Sequence, residues 1–158
     1  MGASGWNYRV PYLPDAEAAF TQLQDQILQR GDFLWAEEYY GPRPTTRSQL
    51  AAAKDRGQFW EQGTHSILDM DSIIPADDQD HDGSVRPLTP DEVREYFGTD
   101  RPTEADFDRV YRYTPGTDID EWSSRGLLAD LRRWSGRYTT LYDGSQPQQI
   151  IFFGESGD

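Results

Sequence analysis

Six aspartates fall between positions 69 and 82, and their spacing raises two metal chemistries. Asp78-Gln79-Asp80-His81-Asp82-Gly83-Ser84-Val85 alternates like a calcium loop. Carboxylates at every second position face one centre, glycine allows the sharp turn, and Ser84 would offer its carbonyl. The twelfth position, however, is Thr89 where a bidentate glutamate belongs, Pro87 interrupts the exit, and Ile73-Ile74-Pro75 stands where a helix should lead in. The segment is therefore not an EF-hand. It leaves two expectations open: a calcium-stabilised loop built on Asp78, Asp80, Asp82 and Ser84, or a solvated acidic turn.

Asp69-Met70-Asp71 has the form of paired carboxylates. On a strand the two would share a face about 6.6 Å apart, which suits magnesium or two-metal chemistry. A nucleotidyltransferase would also need a Gly-Ser turn further upstream and a third carboxylate, and no glycine-rich phosphate loop exists in the chain. His65 could join Asp69 and Asp71 as a catalytic set. On the same strand, however, His65 and Asp69 would stand about 13 Å apart, too far for a relay through Ser66. Two histidines and no cysteine argue against structural zinc and remove thiolate chemistry and disulfides. Gly154-Glu155-Ser156-Gly157 lacks the spacing and the following helix of a nucleophile elbow. Glu37 and Glu38, among Trp35, Tyr39 and Tyr40, are consecutive and would point apart on a strand, which disfavours an acid–base pair.

The charge balance says more about partners than any motif says about catalysis. The 158 residues carry 28 Asp and Glu against 15 Lys and Arg, a formal −13, and Lys54 is the sole lysine. Such a field repels nucleic acid phosphates and anionic lipid but speeds encounter with a basic protein. Aromatics make up 13% of the chain, which separates it from disordered acidic tails. Trp6, Tyr8, Tyr12, Phe33, Trp35, Tyr39, Tyr40, Phe59 and Trp60 crowd the first 60 residues, more than the local core needs, so an exposed aromatic patch is expected. No apolar run reaches membrane-spanning length and no signal-like start is present, so the cytoplasm is the expected location.

The elements that must position these groups follow from periodicity. Trp6, Tyr8 and Val10 alternate as a first strand, and Ala16, Ala19, Phe20, Leu23 and Ile27 repeat as a helix opened at Pro14-Asp15 and closed by Gly31. A second strand is expected to begin at Phe33-Leu34-Trp35 and to be closed by Gly41-Pro42-Arg43-Pro44, and a central one over 63–74, with an acidic loop over 77–84. Helices are expected from Thr46 to about Gly57, from Thr89 to Gly98, from Thr103 onward, and over 127–134 ahead of Gly136. A hairpin over 138–142 and 149–153, turning at Asp143-Gly144-Ser145, closes the chain. The pattern predicts a single compact α+β domain with a mixed or antiparallel sheet, a C-terminal β-hairpin and several short helices.

Three segments also carry a resemblance. Gly2-Ala3-Ser4-Gly5-Trp6 with Pro11-Tyr12, Gly63-Thr64-His65-Ser66-Ile67-Leu68-Asp69, and the closing Ser156-Gly157-Asp158 resemble an uncharacterised family of short acidic actinobacterial proteins. The resemblance covers both ends and the centre of the chain. It implies a compact single domain and brings no activity with it. Function is read from the residues alone. The first expectation is a non-catalytic, acidic protein-binding domain, of the immunity-protein or antitoxin type, directed at a basic protein. Its candidate contacts are Glu37, Glu38, Asp77, Asp78, Asp80, Asp82, Glu155 and Asp158. The alternatives are a small metal-dependent enzyme or ligand-binding domain on Asp69 and Asp71, with Mg²⁺ or Ca²⁺, and the calcium-stabilised loop.

Overall fold

The computed structural model describes residues 3–111, 126–129 and 131–157. Among them, β1 (Ala3–Pro11), β2 (Ser72–Ile73), β3 (Ser84–Pro87), β4 (Ser135–Asp143) and β5 (Gln146–Gly157) form one mixed sheet. The strand order is β1-β5-β4-β3-β2. β5 pairs antiparallel with β1 and β4, whereas β4, β3 and β2 run parallel. The chain is thus an α+β domain with a C-terminal hairpin, turning at Gly144 with φ 59°.

β5, between β1 and β4, is apolar on both faces. Ile150 and Phe152 join one core with Trp6, Phe20, Leu23, Ile27, Phe59 and Val85. Ile151 and Phe153 join a second with Leu88, Val93, Phe97, Phe107 and Leu141. A strand buried on both sides reads as a continuous apolar run rather than an alternation. The first face is covered by α1 (Ala16–Arg30), α3 (Arg47–Lys54) and the single turns α2 (Glu37–Tyr40) and α4 (Phe59–Gln62). The second is covered by α5 (Pro90–Phe97) and α6 (Glu104–Tyr111). None of the helices among the described residues is long and apolar enough to cross a membrane.

The caps are as the sequence predicts. Asp15 accepts from the Glu17 and Ala18 amides, and Thr46 from Gln49. Thr89 and Glu92 form a reciprocal capping box with Pro90 at the first helical position. Thr103 and Asp106 do the same for α6.

Three predicted elements are absent among the described residues, each displaced by a specific tertiary or local bond. Residues 33–35 pair with no strand among the described residues, and where the strand is expected to continue, Trp35 donates Nε1–H to the Gly41 carbonyl and the chain turns into α2. The stretch 63–74 is not a central strand. Ser66 accepts from the Leu68 amide and Asp69 from the Thr64 amide, so side chains hold a 3₁₀ turn over Ile67–Asp69 and leave only β2 in the sheet. The helix expected over 127–134 is not formed among the described residues, 127–129 and 131–134, which are turns and irregular chain, and Gly136 lies inside β4. Trp134 is held at φ 62° by sheet bonds on both sides: its carbonyl accepts from Gly83 and its amide donates to Glu155.

Candidate functional site

Asp69 lies at the centre of the first core face, 0% exposed. Its carboxylate accepts from the Thr64 amide at 2.7 Å, from Thr64 Oγ1 at 2.8 Å, and from the Ser156 hydroxyl. Thr64 Oγ1 and Ser66 Oγ are hydrogen-bonded to each other at 2.7 Å, and the Tyr8 phenol bonds Ser66 and the Ile67 backbone. Gln24, also buried, donates to the Ile67 and Met70 carbonyls. Burial pushes the Asp69 carboxyl above the usual carboxylate range, with the Ser156 and Thr64 donors opposing it. Gly63 makes the arrangement possible: φ is 70°, and a Cβ there would lie 2.6 Å from the Trp134 ring and 2.9 Å from Asp69 Oδ1.

This geometry corrects the paired-carboxylate reading. Asp69 sits in a 3₁₀ turn and its acceptors are taken by protein donors. Asp71 is exposed, points elsewhere, and takes the Lys54 ammonium on Oδ1 at 2.6 Å. His65 does not join them: its backbone is left-handed at φ 52°, and its buried Nε2 has no hydrogen-bond partner among the described residues.

The calcium-like loop is organised by arginines instead. Asp80 receives a bidentate pair from Arg137, Nη1 to Oδ1 at 2.9 Å and Nη2 to Oδ2 at 2.6 Å. Arg86 Nε lies 3.8 Å from Asp80 and its two Nη atoms hold Glu92 at 2.8 and 2.7 Å. Asp82 is paired with Arg132, which also donates to the Asp80 carbonyl. Ser84 and His81 bond each other, hydroxyl to carbonyl and amide to hydroxyl. Among the described residues, no three His, Asp or Glu side chains are placed to share a metal ion. Gly83 does supply the sharp turn, at φ 84°.

The arginine network gives Glu92 an acid signature. Hydrogen bonds from Arg86 pull its carboxyl from the ordinary 4.5 down to about 2. A depressed carboxylate contributes stability that is complete above the unfolded value and lost as pH falls through the folded one. Wild-type melting temperature should therefore fall between about pH 4.5 and 2 more steeply than that of Glu92→Gln, which keeps the capping-box acceptor. Parallel slopes in an acid melting series would remove this role.

The remaining candidates separate by burial and pairing. Glu37, Glu38, Asp77 and Asp78 are exposed and make no ion pair among the described residues. Asp80 and Asp82 are engaged internally. Glu155 is half-buried on β5 opposite Gly5 and Ser135, and burial raises its carboxyl. Asp158 lies outside the described residues.

One surface stands out near Glu37 and Glu38. Phe33 and Trp35 turn inward and Leu34 outward, 42% exposed; Tyr40 is buried while Tyr39 is 62% exposed. The segment is rigidly backed. Trp35 packs edge-on against Phe33 and Tyr40, with centroids at 6.1 and 5.1 Å. The Leu34 amide donates to Thr64, Arg43 reaches the Gly31 and Phe33 carbonyls, and Arg56 the Tyr40 carbonyl. The sequence points to an exposed aromatic patch but does not single out Leu34 or Tyr39. The alternation of Phe33, Leu34 and Trp35 is the signal that could have marked Leu34 as outward, whereas only the α2 turn sets Tyr39 apart from Tyr40.

No protein-family model, curated protein or solved structure matches this chain.

Proposed function

We propose that this chain is a non-catalytic binding domain that docks onto a basic protein through the segment 34–39, in the manner of an immunity or antitoxin-type inhibitor. The observation that carries the reading is the pairing of two large exposed apolar side chains, Leu34 and Tyr39, with the exposed carboxylates Glu37 and Glu38 on one rigidly backed turn. Apolar anchors on a preformed support lose little conformational entropy on association, so they can contribute at an interface. The overall −13 charge would accelerate encounter with a cationic surface. Of the candidate contacts, Glu37, Glu38, Asp77 and Asp78 are exposed and free of ion pairs among the described residues, whereas Asp80 and Asp82 hold the protein's own arginines.

The test compares capture by the wild-type chain with capture by Tyr39→Ala and by Glu37→Lys/Glu38→Lys, from lysate of the native host at low and high salt. The expected result is one basic protein whose affinity falls at least tenfold with Tyr39→Ala, about 1.4 kcal/mol. The charge reversal should lower its association rate and flatten the salt dependence. Equal capture by all three forms, or none by any, rejects the reading.

A further inference from the structure

In a chain of net charge −13, one surface cavity is lined by positive charge. Arg47, Ser48 and Lys54 from α3 line it beside Gln24, Met70 and Asp71, around a volume of about 350 Å³. Positions 47, 48, 51 and 54 fall on one side of a helix, which is why α3 presents all three polar groups to the same space.

The donor count decides what this space suits. The Arg47 and Ser48 side chains make no hydrogen bond or ion pair among the described residues. The Lys54 ammonium has three donors, and two are used: Asp71 Oδ1 at 2.6 Å and the Met70 carbonyl at 3.2 Å. The Lys54 side chain is only 10% exposed and its Nζ lies 5.6 and 5.7 Å from the Phe59 and Trp60 ring centroids, so the charge is held in place. The cavity thus offers a guanidinium fork, a hydroxyl and a fixed ammonium N–H, against a single carboxylate.

We propose that this cavity binds the phosphate group of a small organic phosphate monoester. Three donors of three geometries suit the non-bridging oxygens of a tetrahedral phosphate better than the two oxygens of a carboxylate. The volume is at the lower end of small-molecule sites, about 300–1,000 Å³, and exceeds what phosphate alone fills. Ala51 is the exposed apolar residue of the lining, set beside the space the organic remainder would occupy. A nucleic acid is disfavoured by the surrounding acid, which a small mobile anion meets only at the cavity mouth. Burial lowers the Lys54 amine while Asp71 opposes it; an arriving phosphate reinforces the charged form.

The experiment is calorimetric titration of the full chain with inorganic phosphate and with glycerol phosphate, at ionic strength fixed by chloride. One saturable site per chain is expected, with the monoester tighter than inorganic phosphate because its organic remainder fills the rest of the cavity against Ala51. Arg47→Ala should weaken both at least tenfold without changing the melting temperature, since Arg47 holds nothing else together. Ser48→Ala should weaken both several-fold. Absence of saturable phosphate binding, or equal binding by Arg47→Ala, overturns the site. A monoester weaker than free phosphate overturns the ligand class.

Discussion

Asp69→Ala is expected to destabilise the fold by about 3–5 kcal/mol, while Asp69→Asn costs less than about 1.5 kcal/mol. Alanine leaves the buried Thr64 amide and the Ser156 hydroxyl without their acceptor. The Thr64 hydroxyl retains Ser66, so two orphaned donors and a cavity carry the loss. Asparagine can still accept from Thr64 through Oδ1 and donate from Nδ2 to Ser156, whose hydroxyl rotates to suit. Urea denaturation measures both. At roughly 2–4 °C per kcal/mol for a domain of this size, alanine should lower the melting temperature by on the order of 10 °C. The pH dependence separates the two further. A carboxyl raised by burial binds its proton better folded than unfolded, so its contribution is greatest below the ordinary 3.8 and declines as pH rises towards the folded value. The wild-type advantage over Asp69→Asn should therefore shrink as pH rises. Equal stability of wild type and Asp69→Ala would show that the Thr64–Asp69–Ser156 node does not fasten the centre of the chain to its C-terminal strand.

That node also explains what the sequence could and could not reveal. Elements specified by their own residues were legible: α1 from its apolar period, α5 and α6 from their capping boxes, and the hairpin from Asp143-Gly144-Ser145. The stretch 63–74 was not, because Thr64, Ser66 and Asp69 bond to nearby backbone and, from Asp69, to Ser156, 87 positions away, which no local pattern reveals. Trp134 failed similarly. Its helical spacing with Leu127 and Leu131 is real, yet its peptide is bound by Gly83 and Glu155, partners no local pattern identifies. At the candidate site the acid was visible and its pairing was not. Glu37 and Asp80 look alike in sequence; one faces solvent and the other meets Arg137, 57 positions on. Both ends of the chain and its 63–69 stretch meet in this region, with Ser4 opposite Ser156 and Ser156 on Asp69.

Asp80→Ala is expected to cost about 3–5 kcal/mol, the scale for breaking a buried ion pair by removing one partner. Arg137 is 6% exposed and gives both terminal nitrogens to Asp80, so alanine would leave its guanidinium with the Gly136 carbonyl alone, at 2.9 Å. Arg86 would be less affected, because its close contacts are with Glu92. The loss is a stranded charge rather than a strong bond, and a second variant distinguishes the two. Replacing the pair together, Asp80→Leu with Arg137→Met, removes both desolvation penalties and should recover most of the stability, whereas an intrinsically strong bond would leave the double variant as weak as the single one. Calcium provides the other discriminating axis. If Asp80 acted as a metal ligand, the penalty of Asp80→Ala would shrink in chelator, where wild type would lose the same support. Because Arg137 already holds both oxygens, urea midpoints for wild type and variant should keep the same separation with calcium or with chelator. The pair fixes the loop between β2 and β3 against β4, which makes Asp80 a structural carboxylate and leaves Asp77 and Asp78 as this loop's solvent-facing acid.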